Sequence, residues 1–200
     1  MTESMLSPAS GRVIRIQTFK KSLIKNTAEA SQEESRTISI FMHLHNVHIT
    51  AAPLDGMVKK IIPEKGTFKP AFLRSSDFNT KNTIELATKY GDIKIMQIAG
   101  FFTRAIKCEV KEGQSVVKTE KLGKICFGSR VDVSIPDGFE ILVRKGDKVK
   151  CRKTAIAVNN EKFQIPSTKL SPFRACGDVG RAHENKSQIL ISKYKTNFSL

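Results

Sequence analysis

The chain has 200 residues, 40% of them hydrophobic, enough to bury one good core and too few for a second full domain. With 34 basic against 19 acidic residues the formal charge is +15, a field that suits nucleic acid, an anionic membrane surface or phosphorylated substrates. No tryptophan, only two tyrosines and no finger, ribonucleoprotein or helix-turn-helix signature argue against nucleic acid. No apolar run approaches the roughly 18 to 20 residues of a transmembrane helix, so membrane contact is expected to be peripheral. Cys108, Cys126, Cys151 and Cys176 form no CxxC pair, and the N-terminus has no signal-peptide pattern, which predicts free thiols in a reducing cytoplasm.

In chain order the pattern is mostly period two, in short β-branched runs divided by Gly, Pro, Asn or Asp. The clearest predicted strands are Thr37 to Ile49, Asp92 to Gly100, Arg104 to Val110, Arg130 to Ile135 and Glu140 to Val143. The polar stretch Leu23 to Arg36 reads as a surface loop. "NTKNTIELATKYG", Asn79 to Gly91, lacks alternation and reads as a loop or a short helical turn. The expected fold class is mainly β, a barrel-sandwich-like domain with short helical or loop insertions. After Val158 the period fades, which predicts a basic tail over 159–200 in which only "QILISKY" has strand character.

Two internal echoes organise the chain. "SPASGRVIRI" from Ser7 and "APLDGMVKKI" from Ala52 share small-Pro-x-x-Gly-x-Val-x-x-Ile, a turn that delivers a strand. "KEGQSVVKTEKLGKI" from Lys111 and "RKGDKVKCRKTAIAV" from Arg144 each set a Gly in a hairpin-like turn, a Val after it, then a return strand. The second echo also occurs in lipoyl and biotinyl carrier domains, but neither copy offers a lysine at a hairpin tip flanked as carriers require.

Chemistry-bearing residues are few. In "HLHNVH", His43 and His45 would share one face of a strand and His48 the other. Zinc needs further ligands, and the remaining histidine, His183, lies in the weak tail, so no metal site is predicted. In "KICFGSRVDV" the pair Gly128 and Ser129 interrupts strand material, where a glycine usually marks a bulge. Without a G-x-S-x-G elbow an ordinary serine hydrolase is disfavoured. Ser129 could instead attack the preceding carbonyl of Gly128, since glycine lets the chain bend and leaves that carbonyl unhindered.

Together "SPASGRV", "FMHLHNVHITAAPLDGMV", "KGTFKPAFL", "IMQIAGFFTRAIKC", "EGQSVVKTEKLGKICFGSRVDVSIP" and "GDKV" resemble, in order and spacing, the short form of phosphatidylserine decarboxylase proenzymes, over about Ser7 to Val158. The resemblance implies a catalytic domain over 1–158 that cleaves itself between Gly128 and Ser129. Ser129 would become a covalent pyruvoyl group, the electron sink through which phosphatidylserine loses carbon dioxide to give phosphatidylethanolamine. It also implies two fragments held together, His48 as base, and a peripheral place on the cytoplasmic face of an anionic membrane.

The chain departs from the family pattern at named positions. Ser10 stands where the family's SPADG motif has an Asp that orients and charges the histidine. Serine can hydrogen-bond an imidazole but supplies no charge, and neutralising the orienting carboxylate of serine hydrolase triads costs about 10⁴ in rate. Asn46 replaces an Asp and Ala51 an Arg, and the upstream apolar and basic segment of short-form relatives is not present in the 200 residues. The resulting alternative is an unprocessed homologue, a truncated or decaying copy that at most binds anionic phospholipid.

Overall fold

In the computed structural model of the protein, the described residues are 2–20, 34–43, 46, 48–101, 105–125 and 128–159. They lie within the first of two compact units, Met1–Phe163 and Gln164–Leu200. The expected surface loop as far as residue 33, the tail from residue 160, His45, His183, Cys126 and Cys176 fall outside the described residues.

The fold is mainly β, a curled antiparallel sheet with two smaller sheets packed to it. Fourteen strands are described: β1 (Glu3–Leu6), β2 (Gly11–Lys20), β3 (Glu34–Phe41), β4 (Ile49–Ala51), β5 (Gly56–Glu64), β6 (Lys81–Thr88), β7 (Gly91–Ile98), β8 (Ile106–Cys108), β9 (Ser115–Val116), β10 (Lys121–Ile125), β11 (Arg130–Ile135), β12 (Phe139–Ile141), β13 (Lys148–Val149) and β14 (Ala155–Asn159). Among the described residues one 3-10 turn, Arg74–Phe78, sits between β5 and β6. The large sheet runs β13-β2-β3-β11-β7-β6-β5-β9, and the small ones run β1-β14-β12 and β4-β10-β8.

Alternation builds the core. Val131, Val133 and Ile135 of β11 point inward with Ile93 and Ile95 of β7 and Ile38 and Ile40 of β3, all buried. The predicted strand from Thr37 to Ile49 is two strands in different sheets. Met42 N–H still meets the Ser129 carbonyl in the β3–β11 register at 2.9 Å, and the strand ends beyond it, where Asn46 N–H turns back to the His43 carbonyl at 3.0 Å. The stretch read as loop or helical turn is largely strand β6. Asn82, Thr83 and Ile84 are buried in succession, so both faces are covered and no alternation marks the strand.

Both echoes are structural repeats. Gly11 opens β2 and Gly56 opens β5; a β-carbon on Gly11 would collide with the Phe41 carbonyl oxygen, and one on Gly56 would lie 2.7 Å from that of Ala87. Each strand is clasped by one copy of the second echo. Val13 N–H donates to Asp147 O and receives Gly146 N–H on its own carbonyl; Val58 N–H donates to Gln114 O and receives Gly113 N–H in the same way. Gly146 and Gly113 both have positive φ, 102° and 80°, and so do Arg152 and Thr119 at matching places in the return turns. The two halves are thus related by an approximate two-fold repeat.

Gly11→Ala should lower unfolding free energy by about 1 to 3 kcal/mol through overpacking. Gly146→Ala, which meets open space, should lose only the backbone cost of about 1 to 2 kcal/mol. Urea unfolding at constant m value checks both, and two variants as stable as the parent would contradict this packing.

Candidate active site

Ser129 enters β11 on the parity of Val131, facing the core, and is fully buried. Its Oγ has no hydrogen-bond partner among the described residues. A buried hydroxyl left unpaired costs free energy, so it is a place to look for chemistry. Gly128 has φ 70°, the left-handed conformation that glycine adopts cheaply. Gly100 at the end of β7 packs face-on against the Gly128 carbonyl, where a β-carbon would occupy the position of the carbonyl oxygen. The pairing of β11 with β3 runs without a shift from Arg130 to Ile135, so the Gly-Ser pair marks a strand entry rather than a bulge.

The next residue anchors this entry. Arg130 is buried on the opposite face, where its guanidinium donates to Ser76 Oγ at 2.7 Å and Asp77 Oδ1 at 2.6 Å, both on the 3-10 turn. Its Nε also lies 2.9 Å from Asp132 Oδ1 as a charge contact, without the alignment of a hydrogen bond. Arg15 clasps Asp77 from the other side through both carboxylate oxygens, at 3.2 and 2.9 Å. Burial works against the charge on Asp77, but hydrogen bonds from Arg15 and Arg130 hold its carboxyl below the usual range. Burial pushes the Asp132 carboxyl up, opposed by Arg130 and Ser39.

His48 lies in the link before β4 and is half-buried; its carbonyl accepts Ile125 N–H from β10 at 3.1 Å. Burial lowers the imidazole pKa below its ordinary value, partly offset by the backbone of Asn46, so the ring is neutral at pH 7. Ser10 Oγ accepts Cys151 N–H at 2.9 Å, and this is its side-chain hydrogen bond among the described residues. Asp55 fills the same place in the other half of the repeat, where its Oδ1 accepts Lys118 N–H at 2.6 Å. The Cys151 thiol donates to the Pro8 carbonyl at 3.3 Å and has a longer contact of 3.8 Å to the Ile49 carbonyl, so one residue ties the Ser10 turn to the strand that follows His48. Burial pushes that thiol up to about 11.

Beside this junction opens a cleft of about 710 Å³, lined by Ser10, His43, Asn46 and Cys151 with Arg12, Lys148, Lys150, Arg152 and Lys153. Its basic rim suits an anionic group, and Ser129 and His48 are not in its lining. His43 is exposed and stacks edge-on with Phe41 at 4.8 Å, in a turn rather than on a strand face shared with a second ligand. Among the described residues no cluster of His, Cys, Asp or Glu could hold a metal.

Sequence reasoning missed two groups. One is the Arg15–Asp77–Arg130–Asp132 network. The other is a buried chain in which Gln97 Nε2 donates to Thr50 Oγ1 at 3.2 Å and Asn82 Nδ2 donates to Gln97 Oε1 at 3.1 Å. The signal for the second was present in "DIKIMQIAG", because Gln97 has the inward parity of Ile93 and Ile95.

The phosphatidylserine decarboxylase family model matches residues 1–157. The chain is 40% identical over 153 residues to a Methanosarcina barkeri protein named "Putative archaetidylserine decarboxylase proenzyme", covering 76% of this chain and 67% of that one. It is 36% identical over 162 residues to an Archaeoglobus fulgidus protein of the same name, covering 81% and 73%. It is also 36% identical over 157 residues to the "Phosphatidylserine decarboxylase proenzyme" of Aromatoleum aromaticum, covering 78% and 70%. Against three further archaeal relatives it spans 59 to 65% of their length. A strand-entry Gly-Ser pair, a mainly β fold and these likenesses agree: the chain belongs to the phosphatidylserine decarboxylase family.

Proposed function

We propose that the protein is a self-cleaving, pyruvoyl-dependent decarboxylase of phospholipids that carry a serine head group. The observation that carries this reading is the buried Ser129 hydroxyl, unpaired among the described residues, directly after a left-handed Gly128 whose carbonyl packs against Gly100. Ser129 Oγ adds to the Gly128 carbonyl carbon, the C–N bond breaks as nitrogen takes the proton, and an ester replaces the peptide. Loss of the Ser129 α-proton then breaks the Cβ–O bond and frees Gly128 as a carboxylate. Water displaces the nitrogen as ammonia and leaves a pyruvoyl group at the new terminus.

The residues present suit such a group, because Ser129 is fully buried with its Oγ unpartnered among the described residues, two places before the buried Val131 whose strand partner is the buried Gln97. Once formed, the pyruvoyl group supplies the electron sink for loss of carbon dioxide. The protein's own residues do the rest. His48, neutral at pH 7, accepts the proton from Ser129. Arg130, held by Asp77, fixes the terminus after cleavage. Arg12, Lys148, Lys150 and Arg152 attract the phosphate and carboxylate of the head group, which the archaetidylserine and phosphatidylserine of the relatives' names have in common.

The cut halves stay together as a heterodimer of fragments. Strand β11 of the smaller lies between β3 and β7 of the larger, β13 pairs with β2, and β14 pairs with β1. In this reading residues 1–158 are the catalytic domain, 159–200 a basic tail, and the enzyme works at the cytoplasmic face of an anionic membrane as a peripheral protein. Among the described residues no helix is long and apolar enough to cross a membrane.

One observation favours the alternative of an unprocessed homologue. Ser10 gives its hydroxyl oxygen to Cys151, so no carboxylate from this turn faces His48. Ser10→Asp separates the two readings.

On denaturing electrophoresis the parent should run as two fragments and Ser129→Ala as one chain, and the parent alone should release carboxyl-labelled carbon dioxide from a serine phospholipid. Ser10→Asp should speed cleavage, by up to about 10⁴ if the lost charge is the whole defect. A parent uncut both alone and with Ser10→Asp would refute the self-cleavage reading.

Gly100→Ala should slow cleavage at least tenfold while the chain still folds, because the added methyl displaces the Gly128 carbonyl. Cleavage at the parent rate in Gly100→Ala would contradict that geometry.

The cleavage rate should be flat above pH 6.5 and fall at lower pH, since a depressed imidazole pKa keeps His48 a base down to that range and protonation below it removes the base. A rate that instead rises with falling pH would exclude neutral His48 as the base.

A further inference from the structure

The end of the large sheet that carries Ser129 is also where bulky apolar side chains face solvent. Arg130 is opposite Phe41 and Ile98, and Ile98 is opposite Lys81, whose strand partner is Glu64. The segments leaving this end are therefore 65–80, 99–101, 128–129 and the link after Phe41. On them Phe78 is 77% exposed, Phe72 58%, Phe101 57% and Leu73 44%. The other large exposed hydrophobics among the described residues, Met57, Val117 and Leu142, lie on other segments.

These tips are not loosely attached. Asn79 beside Phe78 donates its amide to the Ala99 carbonyl at 2.8 Å and to the Lys69 carbonyl at 2.7 Å, which fixes the segment to the end of β7. Ser76 and Asp77 grip Arg130, the residue after Ser129. Phe72 stacks edge-on against Phe41 at 5.7 Å. Apolar side chains held outward on a braced turn do not serve the core, and exposed patches of this kind mark interaction surfaces.

The charges around them choose the occupant. Lys65, Lys69 and Arg74 are exposed on the same segment and enter no ion pair among the described residues. The acids nearby are already used, Glu64 by Lys81 at 3.3 Å and Asp77 by its two arginines. Aromatic and leucine tips interleaved with free cations match an anionic lipid interface, where the tips enter the acyl boundary and the cations meet phosphates.

We propose that the segment Lys65–Thr80, together with Phe101, is the surface by which this protein docks on anionic lipid bilayers, with Phe78 and Leu73 inserting. The choice of lipid as occupant rests on the reading of a serine phospholipid as substrate. Docking here brings the Ser129 end of the sheet to the bilayer, so a head group reaches the site without its chains leaving the membrane.

The test uses the full chain carrying Ser129→Ala, so that binding does not depend on cleavage, and vesicles of phosphatidylcholine with or without phosphatidylglycerol and no serine lipid. Co-sedimentation with the phosphatidylglycerol vesicles is expected, reduced at least tenfold by Leu73→Ser with Phe78→Ser and unchanged by Val117→Ser. The chain has no tryptophan. A sole tryptophan at Phe78→Trp should therefore shift to shorter wavelength on the vesicles and be quenched by brominated acyl chains, and one at Val117→Trp should do neither. Absence of vesicle binding, binding indifferent to the double variant, or a double variant whose only change is loss of a self-associated form in light scattering would each overturn the proposal. Vesicle binding with this pattern in a protein that never cuts or decarboxylates would uphold the docking surface and refute the chemistry.

Discussion

A buried guanidinium organises the centre of this molecule. Arg130 opens β11, the strand lying between the β2–β3 and β5–β7 parts of the large sheet, and such a charge is tolerable inside a protein only when it is paired and hydrogen-bonded. Ser76, Asp77 and Asp132 supply that environment, so the 3-10 turn must close over the sheet and β11 must keep its register. With Arg130 fixed on the outer face, alternation leaves Ser129 one place earlier facing the core. A network on one face thereby sets the position of a hydroxyl on the other.

The two-fold repeat explains why the departure at Ser10 leaves the fold intact. Asp55 and Ser10 cap equivalent turns by accepting the backbone N–H of Lys118 and Cys151. A serine oxygen does that capping as well as a carboxylate oxygen does, so the backbone keeps its partner. What serine lacks is the negative charge, and the imidazole of His48, already lowered by burial, gains no stabilisation for its protonated form. The substitution thus separates architecture from reactivity: the turn is preserved and the electrostatic support of the base is removed.

The mainly β class, the inward faces of β7 and β11 and both echoes were legible in the residues, because period-two patterning and paired glycine turns are local signals. β6 was not, since Asn82, Thr83 and Ile84 are covered on both faces and alternation vanishes when neither side meets water. The break between β3 and β4 was hidden because it is made by a backbone turn, Asn46 N–H back to the His43 carbonyl, within a run of residues that keeps a strand-like pattern. At the site, Gly128, Ser129 and His48 stood out through motifs, whereas the importance of Gly100 and Arg130 depends on what packs against them. Gln97 was readable by parity and was overlooked as one polar residue in an apolar run.

The central claim is that the Gly128–Ser129 peptide is the reactive bond of this fold. Intact mass of the purified protein tests it most directly. The account predicts two chains divided after Gly128, the smaller lighter by one ammonia than a fragment beginning with serine, their masses summing to that of the precursor plus water less ammonia. A single chain at the full mass of 22.3 kDa, persisting after long incubation and in Ser10→Asp, would contradict it.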